Sequence, residues 1–145
     1  LRYEHQERRD RDAPPTRHFK IHFPSAAGPQ AESYILLDVI TSAHSYPATQ
    51  RRSIAAPFIQ LAADSEVVLP TVDCILGDKL AAFAPRTIGV LFDPLDRHGR
   101  PRERDPLQIV KQLFDVGHLF AEATNLEQAA ATYRATFEAQ NRYRG

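Results

Sequence analysis

Two short runs early in the chain carry strand-like patterns, and three later stretches repeat apolar residues every three or four positions. His18-Phe19-Lys20-Ile21-His22-Phe23 alternates polar and apolar, which predicts a half-buried strand. Tyr34 to Thr41 is short and apolar nearly throughout, so it predicts a second strand, antiparallel to the first and deeper in a sheet. Glu66-Val67-Val68-Leu69 predicts a third short strand leading directly into a helix. That helix begins at Thr71, a good N-cap residue, and lies between Pro70 and Pro85. Asp105-Pro106 opens a second predicted helix, with Ile109, Val110, Leu113, Phe114, Val116, Gly117 and Phe120 as its apolar face. Thr124-Asn125 caps a third, on which Leu126, Ala130, Tyr133 and Phe137 share a stripe. Residues 42–60 show no regular pattern, and 86–104 read as a long, charged surface loop. Strands come first and helices after, so the pattern predicts an α+β fold.

Two charged residues interrupt these apolar patterns. In the first helix Val72, Ile75, Leu76, Leu80 and Phe83 share one face at roughly 100° per residue, and Lys79 falls inside that arc. A buried ammonium needs a carboxylate, a carbonyl or a bound anion such as phosphate, unless its stem packs on the core and its head reaches water. Asp38 interrupts Ile35-Leu36-Leu37-Asp38-Val39-Ile40 on the same strand face as Leu36 and Ile40. A carboxylate there is expected to be desolvated and to bind a metal, an arginine or a lysine. Lys111, Asp115 and His118 form a polar stripe on the second helix, where an exposed Lys111–Asp115 pair contributes only a few tenths of a kcal/mol.

Composition narrows the function classes. The 145 residues suffice for one domain with a real core. Lysine plus arginine and aspartate plus glutamate number 18 each, so no global basic field points to nucleic acid or anionic membrane. The single cysteine, Cys74, excludes an internal disulfide and fits a reducing cytoplasm. No apolar run approaches membrane-spanning length. The chain contains no methionine, and it enters through the charged stretch from Arg2 to Asp12, so we expect it to be part of something longer.

Other motifs are absent. The six histidines lack zinc-like spacing, and no G-x-x-x-x-G-K-[ST], G-x-G-x-x-G or G-x-S-x-G occurs. Asp93, Asp96, His98, Glu103 and Asp105 crowd one loop without matching a calcium-binding pattern, and neighbouring arginines offset their charge.

Three pieces in order carry a resemblance: Leu36-Leu37-Asp38-Val39, then Leu69 to Phe83 with Gly77-Asp78-Lys79-Leu80 at its centre, then Ile109-Val110-Lys111-Gln112-Leu113-Phe114-Asp115-Val116. Together with Phe83 to Gly89 they resemble the AbiEii/AbiGii nucleotidyltransferase toxins of bacterial abortive-infection and toxin–antitoxin systems, from about residue 18 to about 120. The resemblance implies part of a polymerase-β-like palm over 16–70, following a charged entry segment at 1–15, and a helical C-terminal region over 71–145. It implies transfer of a nucleotide from a nucleoside triphosphate to tRNA, another RNA or a protein, with Mg2+ or Mn2+ in the complete enzyme and an antitoxin encoded nearby. By the same resemblance Asp38 is a metal-binding, catalytic carboxylate, Lys79 contacts the triphosphate, and Lys111 and Asp115 line or brace the site.

One departure is large. The family's first motif, Gly-Ser followed by Asp-x-Asp, does not occur in this sequence. Those aspartates hold the ions that activate the attacking hydroxyl and steady the leaving pyrophosphate. We therefore expect a C-terminal portion that is inactive alone, or alternatively an inactive domain of this ancestry that binds a partner or nucleic acid through its arginine-rich ends. A piece of a palm is also expected to self-associate through uncovered apolar surface.

Overall fold

A computed structural model describes residues 2–8, 15–26, 31–54, 61–84, 101 and 106–144. The expected Asp105 cap and the predicted surface loop at 86–104 with its acidic residues lie outside them, Pro101 excepted. The fold is α+β, with two antiparallel sheets and three helices among the described residues, and it divides into two units, 1–44 and 45–145.

The first unit is a sheet of β1 (Arg2–Arg8), β2 (Thr16–Pro24) and β3 (Glu32–Ile40) in the order β1-β2-β3. The charged entry therefore begins as a strand. It pairs with β2 from Arg2 opposite His22 to Arg8 opposite Thr16, and β2 pairs with β3 from Thr16 opposite Ile40 to Pro24 opposite Glu32. The expected depth of the two predicted strands is reversed: β2 is central and β3 is an edge. Tyr34, Ile35, Leu36, Leu37, Val39 and Ile40 are all exposed. Period-two alternation sorts the faces. Tyr3, Phe19, Ile21, Phe23, Ile35 and Leu37 share one, and Arg2, Glu4, His18, Lys20, His22, Glu32 and Asp38 share the other.

The second unit starts with a hairpin-like pair. β4 (Thr49–Ser53) pairs antiparallel with β5 (Glu66–Pro70), so part of the stretch without regular pattern is a strand. β5 runs into α1 (Val72–Ala81) through Thr71, whose hydroxyl accepts from the Cys74 amide at 3.3 Å. This is the predicted cap, and it satisfies one of the amides that a helix start leaves without a partner. α2 spans Pro106–Glu122 and α3 spans Leu126–Arg144. At the start of α3 the Asn125 side chain accepts from the Gln128 amide at 3.0 Å.

The core of this unit is the α1–α3 crossing, and it is built from Leu76 and small residues. Asp73, Cys74, Leu76, Gly77 and Ala81 are buried on α1, as are Ala129, Thr132 and Thr136 on α3. Of the predicted apolar face Leu76 is buried while Val72, Ile75, Leu80 and Phe83 are half-buried, so the buried arc of α1 is turned toward Cys74, Gly77 and Ala81, and Lys79 lies off it. Gly77 permits the close approach. A β-carbon there would lie 2.8 Å from Thr132 Cβ and 2.9 Å from the Tyr133 amide nitrogen, and closer still to the Ala129 carbonyl. α2 is different, because none of its residues is buried.

Candidate functional site

Lys79 is the centre of the polar contacts between α1 and α2. Its Nζ donates to Asp115 Oδ2 at 2.8 Å and to Gln112 Oε1 at 3.3 Å. The two charged side chains retain 31% and 33% of their exposure, so the pair is sheltered yet reachable from solvent. The hydrogen bond from Lys79 holds the Asp115 carboxyl below its ordinary value, and the charges of Lys79, Lys111 and His118 act in the same direction against partial desolvation. Lys79 thus meets a carboxylate although it lies off the buried arc of α1 and remains partly exposed. Asp115 is drawn to α1 and not left to an exposed pair along its own helix. Lys111 is exposed one turn before it, and His118 meets the Phe114 ring edge-on at 4.3 Å.

A second set of polar contacts fixes the helix that carries Lys79. Asp73 Oδ1 accepts from the amides of Thr124 and Asn125, both at 2.8 Å. One buried carboxylate thereby sits in the first turn of α1 and at the start of α3, where both helix dipoles favour negative charge. The Thr71 hydroxyl donates to Gln128 Oε1 at 2.6 Å, and Thr136 donates to Asp78 Oδ1 at 3.2 Å. Asp78 also meets the half-buried Tyr46, whose phenol is raised above its ordinary value by burial first and by Asp78 second.

Asp38 belongs to the first unit. Its side chain is 61% exposed, which corrects the expectation of a desolvated carboxylate, and it lies 2.7 Å from His18 Nδ1 on the facing residue of β2. Along the same face Arg2 binds Glu4 at 2.6 Å and Glu32 at 2.9 Å. His22 lies between those carboxylates, with Nδ1 3.1 Å from Glu32 and Nε2 3.3 Å from Glu4, the latter without hydrogen-bond geometry. On the other face Tyr3, Phe19, Ile21 and Leu37 line an apolar depression of about 300 Å³ with Arg2 at its rim.

Four residues singled out in the sequence are thus placed as follows. Lys79 and Asp115 meet, Lys111 stands beside them, and Asp38 is paired within the other unit. Gln112 and Asp73 were not singled out. Gln112 carries no sequence signal beyond its place one turn from Asp115, and Asp73 looks like an ordinary acidic residue in a first helical turn.

The family model described as Nucleotidyl transferase AbiEii toxin, Type IV TA system, matches residues 2–144. The chain belongs to that family. AbiEii proteins are nucleotidyltransferase toxins of type IV toxin–antitoxin systems, so membership carries with it an antitoxin partner. No curated protein and no solved structure gave a match to this AbiEii chain. None of its described helices is long and apolar enough to cross a membrane.

The divalent metal associated with such enzymes can be tested against the residues present. Among the described residues, no group of three or more His, Cys, Asp and Glu side chains is arranged to hold an ion. Asp38 offers one carboxylate, already facing His18, and a two-metal centre needs others. The described residues therefore do not fit a self-contained metal site.

Proposed function

We propose that this chain is the C-terminal portion of an AbiEii-type enzyme that transfers a nucleotide from a nucleoside triphosphate to RNA, such as tRNA, or to protein. In this reading an acceptor hydroxyl attacks the α-phosphorus and releases its proton to water, the bond to the bridging oxygen breaks, and pyrophosphate leaves. Lys79 contacts the triphosphate and offsets the charge that develops on it. The observation that carries the reading is the Lys79–Asp115–Gln112 contact set. An ammonium held at 2.8 Å from a carboxylate and one-third exposed is oriented before an anion arrives and remains accessible to it. Lys111, exposed on α2 one turn before Asp115, adds a second cation for the phosphates. The β1–β2–β3 sheet is read as part of the palm, with Asp38 as one of its metal-binding carboxylates. The remaining acids would come from outside the described residues.

The test is transfer of label from nucleoside triphosphates, with Mg2+ or Mn2+, to RNA and protein acceptors by the complete natural protein, in the cytoplasmic setting we assign to it. Lys79→Ala is expected to lower transfer by about 100-fold or more, the scale of losing one aimed electrostatic contact, with folding retained. Undiminished transfer by that variant removes Lys79 from the chemistry.

The lack of a metal-holding group among the described residues motivates a second reading, a catalytically inactive domain of this family that binds a partner or nucleic acid. It predicts no transfer under any condition and RNA binding that weakens steeply with salt, because phosphate contacts release counterions.

A further inference from the structure

α2 has two unlike sides. Gln112 and Asp115 face Lys79, and roughly opposite them on the helix runs an uncovered apolar stripe. Leu107 is 79% exposed, Val110 61%, Leu113 56%, Phe114 65% and Phe120 51%. Gly117 completes the stripe, and a β-carbon there would meet nothing within 4 Å. The spacing of these positions is palindromic. Turned end for end about a point between 113 and 114, the stripe maps Leu107 onto 120, Val110 onto 117 and Leu113 onto 114.

We propose that this stripe is the seam of a two-fold homodimer, with a second copy of this chain lying antiparallel on α2. A two-fold interface must be self-complementary, which an unlike partner does not require of a sequence. In this register Leu107 faces Phe120 of the second copy and Leu113 faces Phe114. Val110 falls over Gly117, whose missing side chain leaves room for it. Leu107, Val110, Phe114 and Gly117 also follow the three-four-three spacing of a helix–helix seam. From their exposed fractions, the five large side chains offer roughly 550 Å² per copy, taking each aromatic side chain at about 200 Å² and each aliphatic one at about 160 Å². Two copies bury up to about 1,100 Å², above the ~1,000 Å² that a specific interface should clear. The Lys79–Asp115 pair stays outside the seam, so dimerisation and nucleotide contact are separable.

Sedimentation equilibrium of the full chain across the micromolar range tests the proposal. A monomer–dimer equilibrium is expected, weakened at least about 100-fold in Val110→Glu and in Leu113→Glu, each of which would bury a charge in the seam. Both positions are exposed, so helix content by circular dichroism should be unchanged. Register is tested with a short bismaleimide cross-linker, since native Cys74 is buried and does not compete. A mixture of Val110→Cys and Gly117→Cys proteins should give mixed dimers, whereas Leu107→Cys alone should not cross-link, because its two copies lie about 20 Å apart along the seam. A chain monomeric throughout, a dimer indifferent to both glutamates, or ready cross-linking of Leu107→Cys each overturns the proposal.

Discussion

Replacing Gly77 by alanine should destabilise the protein, although alanine is the better helix former. Alanine in a helix interior is favoured over glycine by about 1 kcal/mol. At position 77 its methyl would lie 2.8 Å from Thr132 Cβ and 2.9 Å from the Tyr133 amide nitrogen, and nearer still to the Ala129 carbonyl oxygen. Two of these neighbours are backbone atoms of α3 and cannot swing aside, so the helices must separate. Overpacking of this kind costs about 1–3 kcal/mol, and rigid neighbours place it at the upper end. The net loss is then about 1–2 kcal/mol. Gly117 is the internal control, because its β-carbon would meet nothing and the same substitution should stabilise by up to about 1 kcal/mol. Urea denaturation in dilute solution reads both changes. With a slope of about 1–3 kcal/mol per molar urea, the midpoints should move apart by several tenths molar to a few molar, in opposite directions. Gly77→Ala as stable as the parent would refute the close α1–α3 crossing.

Two further outcomes follow from the polar contacts. Asp73→Ala should cost about 2–4 kcal/mol in the same denaturation assay, because it leaves the Thr124 and Asn125 amides without their acceptor; Asp73→Asn, which keeps an acceptor oxygen, should cost less. Asp115→Asn should lower stability in a pH-dependent way. The folded-state pKa of Asp115 is depressed by Lys79, so its contribution is present above the unfolded carboxyl value of about 4 and is lost as pH falls through the folded value. The stability difference between parent and variant should therefore be full near neutrality and shrink in acid; a difference that grows as pH falls would contradict the Lys79–Asp115 pairing.

The helices were legible because their ends are written in local chemistry. Pro70-Thr71 and Thr124-Asn125 cap where capping residues must, and the caps form as the sequence suggests. β1 and β4 were not legible. Arg2 to Arg8 and Thr49 to Ser53 are almost wholly polar, so nothing in their side chains alternates between water and core, and backbone pairing with β2 and β5 makes them strands. The buried face of α1 was misread for a related reason. Leu80 and Phe83 dominate any apolar count, but the closest crossing selects Cys74, Gly77 and Ala81 because they are small. Asp38 misled because an apolar run suggests burial, whereas β3 is an exposed edge. The need of Lys79 for a carboxylate was legible from its neighbours; that Gln112 would share the ammonium depends on how α2 lies against α1.

The unequal anchoring of the three helices has a kinetic meaning. α1 is fastened to α3 by a small-residue crossing and by Asp73, so these two should open together and only near global unfolding. α2 buries no residue, and among the described residues its Gln112 and Asp115 accept from the Lys79 ammonium on α1. Excursions of α2 away from α1 should therefore cost less than opening of the α1–α3 crossing, and they would free Lys79. The lysine stands on the rigid element while its carboxylate rides on the loose one, so the time the ammonium spends unpaired is set by how often α2 lifts.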